Sequence, residues 1–147
     1  MRITTKGHYG IHAMLDLARY YGQGPVLMRD LAARHGYSEK YLEQLMRDLR
    51  RRGLVRSSRG VHGGYWLAKS PKEITLLEII ETLEGELPER PAGCSSDCMD
   101  VDQCATLEIW FKGVQELRKT LARRTLSEHI RRQKQLDEKN HDKKCIV

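Results

Sequence analysis

Between residues 4 and 21 the apolar positions Ile11, Met14, Leu15 and Ala18 recur at i, i+3, i+4 and i+7, the spacing that lines one face of a helix. Gly22, Gly24 and Pro25 stop it. After Val26-Leu27-Met28, a brief second helix is expected from Asp30 to His35, closed by Gly36 in the left-handed conformation. Ser38 then stands where an N-cap hydroxyl accepts from a free backbone N–H, and a third helix runs to about Arg52, ended by Gly53. On that helix Leu42, Leu45, Met46 and Leu49 share one side, while Lys40, Gln44, Arg47 and Arg51 fall almost opposite.

Two β-like runs, Leu54-Val55-Arg56 and Tyr65-Trp66-Leu67, flank SSRGVHGG, whose glycines suit a flexible hairpin tip. Pro71 opens a fourth helix, expected from Ile74 to about Leu83 and ended by Gly85. Residues 85–103 show neither period and hold Pro88, Pro91, Gly93 and two of the three clustered cysteines, so a long functional or disordered loop is expected there. From Cys104 onward Leu107, Trp110, Val114, Leu117 and Leu121 step by 3, 4, 3, 4, a seam suited to a second helix and read as a dimerisation element. Thr125-Leu126-Ser127-Glu128 resembles a helix-start box, and the polar residues 131–147 are expected to be a frayed tail. The expected fold is mostly α with a small β-hairpin wing. Its parts are a winged helix-turn-helix over residues 1–84, a cysteine-rich cluster-binding loop over 85–103, a dimerisation helix over 104–130 and a basic tail over 131–147.

Charge divides the chain along similar lines. The 147 residues carry a net +6, with 39% hydrophobic and 31% charged residues, a mix that fits a helix-rich globular protein rather than a disordered one. Residues 29–72 hold a net +7 and residues 73–111 a net −9. A basic block beside an acidic one points to two tasks, the first compatible with a polyanion. No run approaches the ~18–20 apolar residues of a membrane span. Four cysteines, three of them between 94 and 104, are too few and too uneven for a disulfide scaffold, so a reducing compartment, the cytoplasm, is expected. There is no P-loop, no G-x-S-x-G and no spaced carboxylate pair, so an enzyme is not expected.

A basic helix following another by a tight turn, and preceding a glycine-tipped hairpin with Arg56, Arg59 and His62, matches winged helix-turn-helix recognition of double-stranded DNA. Lys and Arg hold phosphates, while Gln or Arg can read base edges; a merely solvated charged face is the plainer alternative. Two-fold symmetry in a homodimer would supply a palindromic operator. Cys94, Cys98 and Cys104 form C-x3-C-x5-C. Three thiolates want a fourth ligand around zinc or an iron–sulfur cluster; free reduced thiols and redox-active thiols remain alternatives. Asp97, Asp100, Asp102 and Glu108 would raise thiol pKa values and disfavour adding an electron to a cluster.

Four segments, MRITTKGHYGIHAMLDLA, SEKYLEQLMRDLRRRGLV, SRGVHGGYWLAK and the cysteine loop before a long helix, resemble in that order the winged-helix iron–sulfur regulators typified by IscR and NsrR. The likeness covers about residues 1–130. It implies a homodimeric repressor or activator whose cluster, [2Fe–2S] favoured over [4Fe–4S], modulates operator affinity or choice. It also places the reading helix on Ser38, Tyr41, Glu43 and Gln44 and the wing arginine on Arg59, with Glu43 linked to choosing between operator classes. A Glu43–Arg47 pair one turn apart is the plainer role for that carboxylate.

The cysteine loop departs from the pattern twice: the first interval is three residues instead of five, and Leu107 stands where a histidine ligand is expected. Position 8, acidic in NsrR-like proteins, is His8, which from the partner protomer is the expected fourth ligand, with His12 in reserve and Glu108 and Asp102 as weaker candidates. The competing functions are a zinc-stabilised winged-helix repressor and an iron–sulfur carrier without sequence-specific DNA binding. Cys145 is expected to be a free thiol.

Overall fold

A computed structural model describes residues 4–88, 90 and 103–139, and in it the apolar ladders become six helices and one hairpin. The order is α1 (Thr5–Arg19), α2 (Met28–His35), α3 (Glu39–Arg51), β1 (Val55–Ser58), β2 (Gly64–Leu67), α4 (Leu76–Glu84), α5 (Ala105–Arg123) and α6 (Leu126–Lys139). This is the winged-helix arrangement with two added C-terminal helices.

The core forms where apolar faces of α1, α3 and α4 converge. Met14, Leu17, Leu42, Leu45, Met46, Leu49 and Ile79 are essentially inaccessible, and Val55, Leu67 and Leu126 close the cluster from the hairpin and from α6. All four apolar α3 residues of the sequence pattern lie in it, so the opposite face of α3 is left to solvent. Gly36 ends α2 at φ +68°, where a side chain would clash with the following carbonyl, and thereby turns the chain into α3 within two residues. Gly10 serves a different need: a Cβ there would overlap Leu83 Cδ1, so its bare backbone lets α1 and α4 touch.

The wing is an antiparallel pair with Val55 opposite Leu67 and Ser57 opposite Tyr65. It is anchored by a bridge in which Val26 and Tyr65 exchange N–H···O bonds of 2.8 Å. Arg59, Gly60, Val61 and His62 form its exposed tip, and Val61 is 93% accessible.

Four local expectations need correction. The Ser38 hydroxyl makes no capping bond; only its carbonyl enters the helix, accepting from Leu42 N at 3.0 Å. The fourth helix starts at Leu76 instead of Ile74, because Thr75 and Glu78 form a reciprocal capping box. Ile74 stays extended instead, and its carbonyl accepts from Leu126 N at 2.9 Å. Residues 131–139, expected to be frayed, are helical as part of α6: the box at Thr125 and Glu128 forms, and Leu126 and Ile130 seat the helix on the core. Finally, Leu107 and Val114 are buried and Leu121 packs against the chain's own core, so three of the five seam residues are covered at least in part from within the chain. Residues 91–102 and 140–147, with Cys94, Cys98, Asp102 and Cys145, lie outside the described residues.

Glu84 joins the first and last helices of the winged domain. Its Oε1 accepts from Thr4 N at 3.0 Å, Thr4 Oγ1 at 2.6 Å and Gly7 N at 2.8 Å, so a carboxylate from α4 satisfies donors at the positive end of α1. Glu84→Ala is expected to lower stability by about 1–2 kcal/mol, as for loss of a helix cap. Chemical denaturation checks this, with the midpoint falling at unchanged m-value.

Candidate nucleic-acid interface and cysteine site

The fold puts the predicted DNA residues on one side. Ser38, Lys40, Glu43, Gln44, Arg47 and Arg51 are exposed along α3, Tyr41 is half-buried at its edge, and Arg56, Arg59 and His62 are exposed on the hairpin. Arg51 approaches Asp48 at 4.0 Å, but among the described residues Lys40, Arg47, Arg56 and Arg59 enter no ion pair. Glu43 and Arg47 do not pair with each other either, so that carboxylate is not neutralised by its neighbour one turn on. The Ser38 hydroxyl, freed from capping, stands at the exposed start of the helix.

Between α3 and the wing lies a polar cleft of about 370 Å³, lined by Glu43, Met46, Arg47, Arg50, Ser57, Arg59 and Tyr65. Arg50, absent from the sequence-level set, donates from Nη1 to Ser57 Oγ at 3.0 Å. The signal was present: Glu43, Arg47 and Arg50 stand at i, i+4 and i+7, a ridge adjacent to Lys40, Gln44, Arg47 and Arg51.

Beneath the turn into α3 a buried polar network fixes α1 against α2. Asp16 is 2% exposed, yet His35 Nε2 donates to it at 2.7 Å and Arg19 and Arg34 approach at 3.4 and 3.9 Å, so the carboxylate is buried with its cationic partners. Tyr37 stacks between Tyr9, centroids 3.7 Å apart, and His35 at 5.1 Å. Burial, then Tyr9 and Asp16, pushes its phenol up to about 12, so it stays neutral.

Of the expected cluster ligands, Cys104 is half-buried at the N-cap of α5. His8 is half-buried in α1, its Nε2 enclosed and without a hydrogen-bond partner among the described residues, beside His12 at 4.5 Å between centroids. Burial, and then the neighbouring His8 and His35, lowers the pKa of His12. Glu108 is engaged by Lys112, which holds its carboxyl below the usual range. Among the described residues no three His, Cys, Asp or Glu side chains stand together as a metal site. Leu107, in the place of the family histidine, is buried as core.

The family model described as "Rrf2: Iron-dependent Transcriptional regulator" matches residues 3–132. This chain belongs to the Rrf2 family. Its members are DNA-binding transcription regulators rather than enzymes. The chain is 38% identical over 128 residues to the HTH-type transcriptional regulator CymR of Bacillus subtilis, covering 87% of this chain and 88% of that one. It is 37% identical over 137 residues to the HTH-type transcriptional regulator IscR of Photorhabdus laumondii, covering 93% and 84%. Among solved structures, B. subtilis CymR, titled the global cysteine regulator, superposes with a TM-score of 0.75 at 37% identity over 88% of this Rrf2 chain and 96% of that one. T. potens IscR gives 0.73 at 38% identity over 98% and 94%. No helix among the described residues is long and apolar enough to cross a membrane.

His129, on α6, has its pKa lowered by burial and then by Arg124, in the same direction as His12. Folding therefore favours the neutral rings, and below the ordinary value of 6.5 the unfolded chain takes up protons first. Stability is expected to be full above that value and to fall as the pH drops below it. Thermal unfolding of His129→Gln between pH 7.5 and 5.5, against the parent chain, should show a shallower fall.

Proposed function

We propose that this Rrf2 regulator binds a palindromic DNA operator as a homodimer and that an iron–sulfur cluster on its cysteine segment modulates that binding. The observation that carries the DNA half is the uncompensated cationic face of α3 and the wing, held rigid by a ridge whose four apolar residues are fully buried. Lys40, Arg47, Arg51 and Arg59 hold phosphates, and Ser38, Tyr41, Glu43 and Gln44 meet base edges or the adjoining backbone, with His62 at the wing tip. A carboxylate at 43 accepts from cytosine N4 and repels phosphate, which suits a selective role.

Donor chemistry supports the cluster. Cys94, Cys98 and Cys104 offer three soft thiolates, and His8, whose enclosed Nε2 lacks a partner among the described residues, is a competent fourth ligand from the other protomer. When bound, such a cluster supplies a redox- and iron-responsive crosslink between those residues. Resemblance alone favours [2Fe–2S] over [4Fe–4S]. Dimerisation falls to the α5 face left open among the described residues: Pro88, Thr106, Ile109, Trp110, Gly113, Val114 and Leu117 border an apolar groove of about 340 Å³, with Ile109 69% exposed. Trp110 is fixed there by donation from Nε1 to the Pro88 carbonyl at 3.2 Å. Leu121, further along α5, packs against the chain's own core.

A second function, response to a cysteine-linked signal without a cluster, is favoured by the CymR relatives and by Leu107 in place of the ligand histidine. One preparation separates the two. Oxygen-free purification should give iron and acid-labile sulfide in equal amounts, lost in Cys98→Ser and Cys104→Ser and destabilised in His8→Ala. Absence of both iron and sulfide overturns the cluster. Gel retardation of a random duplex pool in dilute buffer should enrich a palindrome, and Arg47→Ala and Arg59→Ala should each weaken retention about tenfold, the scale of one charge-assisted contact.

A further inference from the structure

The cleft between α3 and the wing concentrates cation beyond what the base-reading face requires. Three guanidiniums, from Arg47, Arg50 and Arg59, share it with a single carboxylate, Glu43. Along the helical wall the charge runs from Glu43 at the near end to Arg47 and then Arg50, so an anion entering the cleft is repelled at one end and drawn to the other. At that other end Ser57 Oγ holds Arg50 Nη1 at 3.0 Å, which fixes the fork while leaving its remaining N–H donors without a partner among the described residues. Among the described residues Arg50 enters no ion pair. Arg50 is exposed and contributes nothing to the core, so burial gives no reason for an arginine there.

Geometry supplies the ligand. A helix seated in the major groove and a hairpin reaching the neighbouring minor groove must straddle the sugar–phosphate strand that separates them. That strand has to cross the cleft.

We propose that the cleft is a phosphate seat, in which Arg50 ligates one backbone phosphodiester of the dividing strand and Ser57 is the positioning residue that aims its guanidinium. Arg47 lies on both ridges of α3 and flanks the same phosphate. Glu43 keeps the phosphate at the Arg50 end of the cleft and thereby sets the register of the helix along the groove. The seat rests on the DNA-binding function above and assigns it a contact at which the helix and the wing act together.

The test uses the full-length protein and a duplex enriched by it from a random pool, with affinity measured against sodium chloride. Removing a phosphate contact should lower the slope of log K against log salt by ~0.9 per bound protomer and weaken binding about tenfold or more in Arg50→Ala. Ser57→Ala, which keeps the charge but frees it, should weaken binding less and leave the slope as it was. Replacing single phosphates of the duplex by neutral methylphosphonates should reveal one position per half-site that weakens the parent protein and leaves Arg50→Ala indifferent. An unchanged salt slope in Arg50→Ala, or equal methylphosphonate sensitivity at every position, overturns the seat while DNA binding stands. Competition by inorganic phosphate at fixed ionic strength, absent in Arg50→Ala, overturns it in favour of a free-anion site. If the parent retains no duplex in dilute buffer, DNA binding and the seat fall together.

Discussion

Everything on the DNA-facing side depends on the burial of one ridge of α3. Leu42, Leu45, Met46 and Leu49 are inaccessible, and each leucine or methionine so buried is worth roughly 1.5–3 kcal/mol. The helix therefore cannot rotate about its axis without exposing them. A fixed rotation is what aligns the opposite residues with a groove, so an apolar contact sets the geometry of a polar interface. The exposed face can then vary in sequence with little effect on its placement.

The first turn of α1 extends that rigidity. Glu84 holds it from the end of α4, and Lys6 reaches Asp48 on α3 at 3.1 Å. The segment containing the cysteines begins just after Glu84, so the same turn touches both the recognition helix and the root of the cysteine segment. His8 lies one residue beyond Gly7, the last of the donors that Glu84 satisfies. The Asp16 network performs the equivalent task on the other side of α1, binding α2 through His35 before the turn at Gly36.

Much of this was legible in the residues. Periodicity located the first three helices, the hairpin and the long α5, because each presents a continuous apolar face of sufficient length. The C-terminal helix was misjudged because its stretch from 131 is polar; the apolar Leu126 and Ile130, just before that stretch, seat it on a core built by distant residues. The seam of α5 was read as a single interface, yet Leu107 and Val114 are buried within the chain and Leu121 packs against its core, while Trp110 and Leu117 border the open groove. Periodicity identifies an apolar face but not which partner covers it. Arg50 was missed for a related reason: its side chain is held by Ser57, seven residues on and in another element.

By itself the sequence determined the order of elements, the two-faced character of α3, the glycine turn between α2 and α3, and the concentration of thiols in one acidic segment. These are local consequences of side-chain spacing, backbone freedom and charge. Only the tertiary structure decided that Glu84 caps α1, that Leu107 is core where a ligand is expected, that His8 Nε2 is enclosed without a partner among the described residues, and that three arginines border one cleft. Such contacts join residues far apart along the chain, and their distances exist only after the apolar ridges have packed.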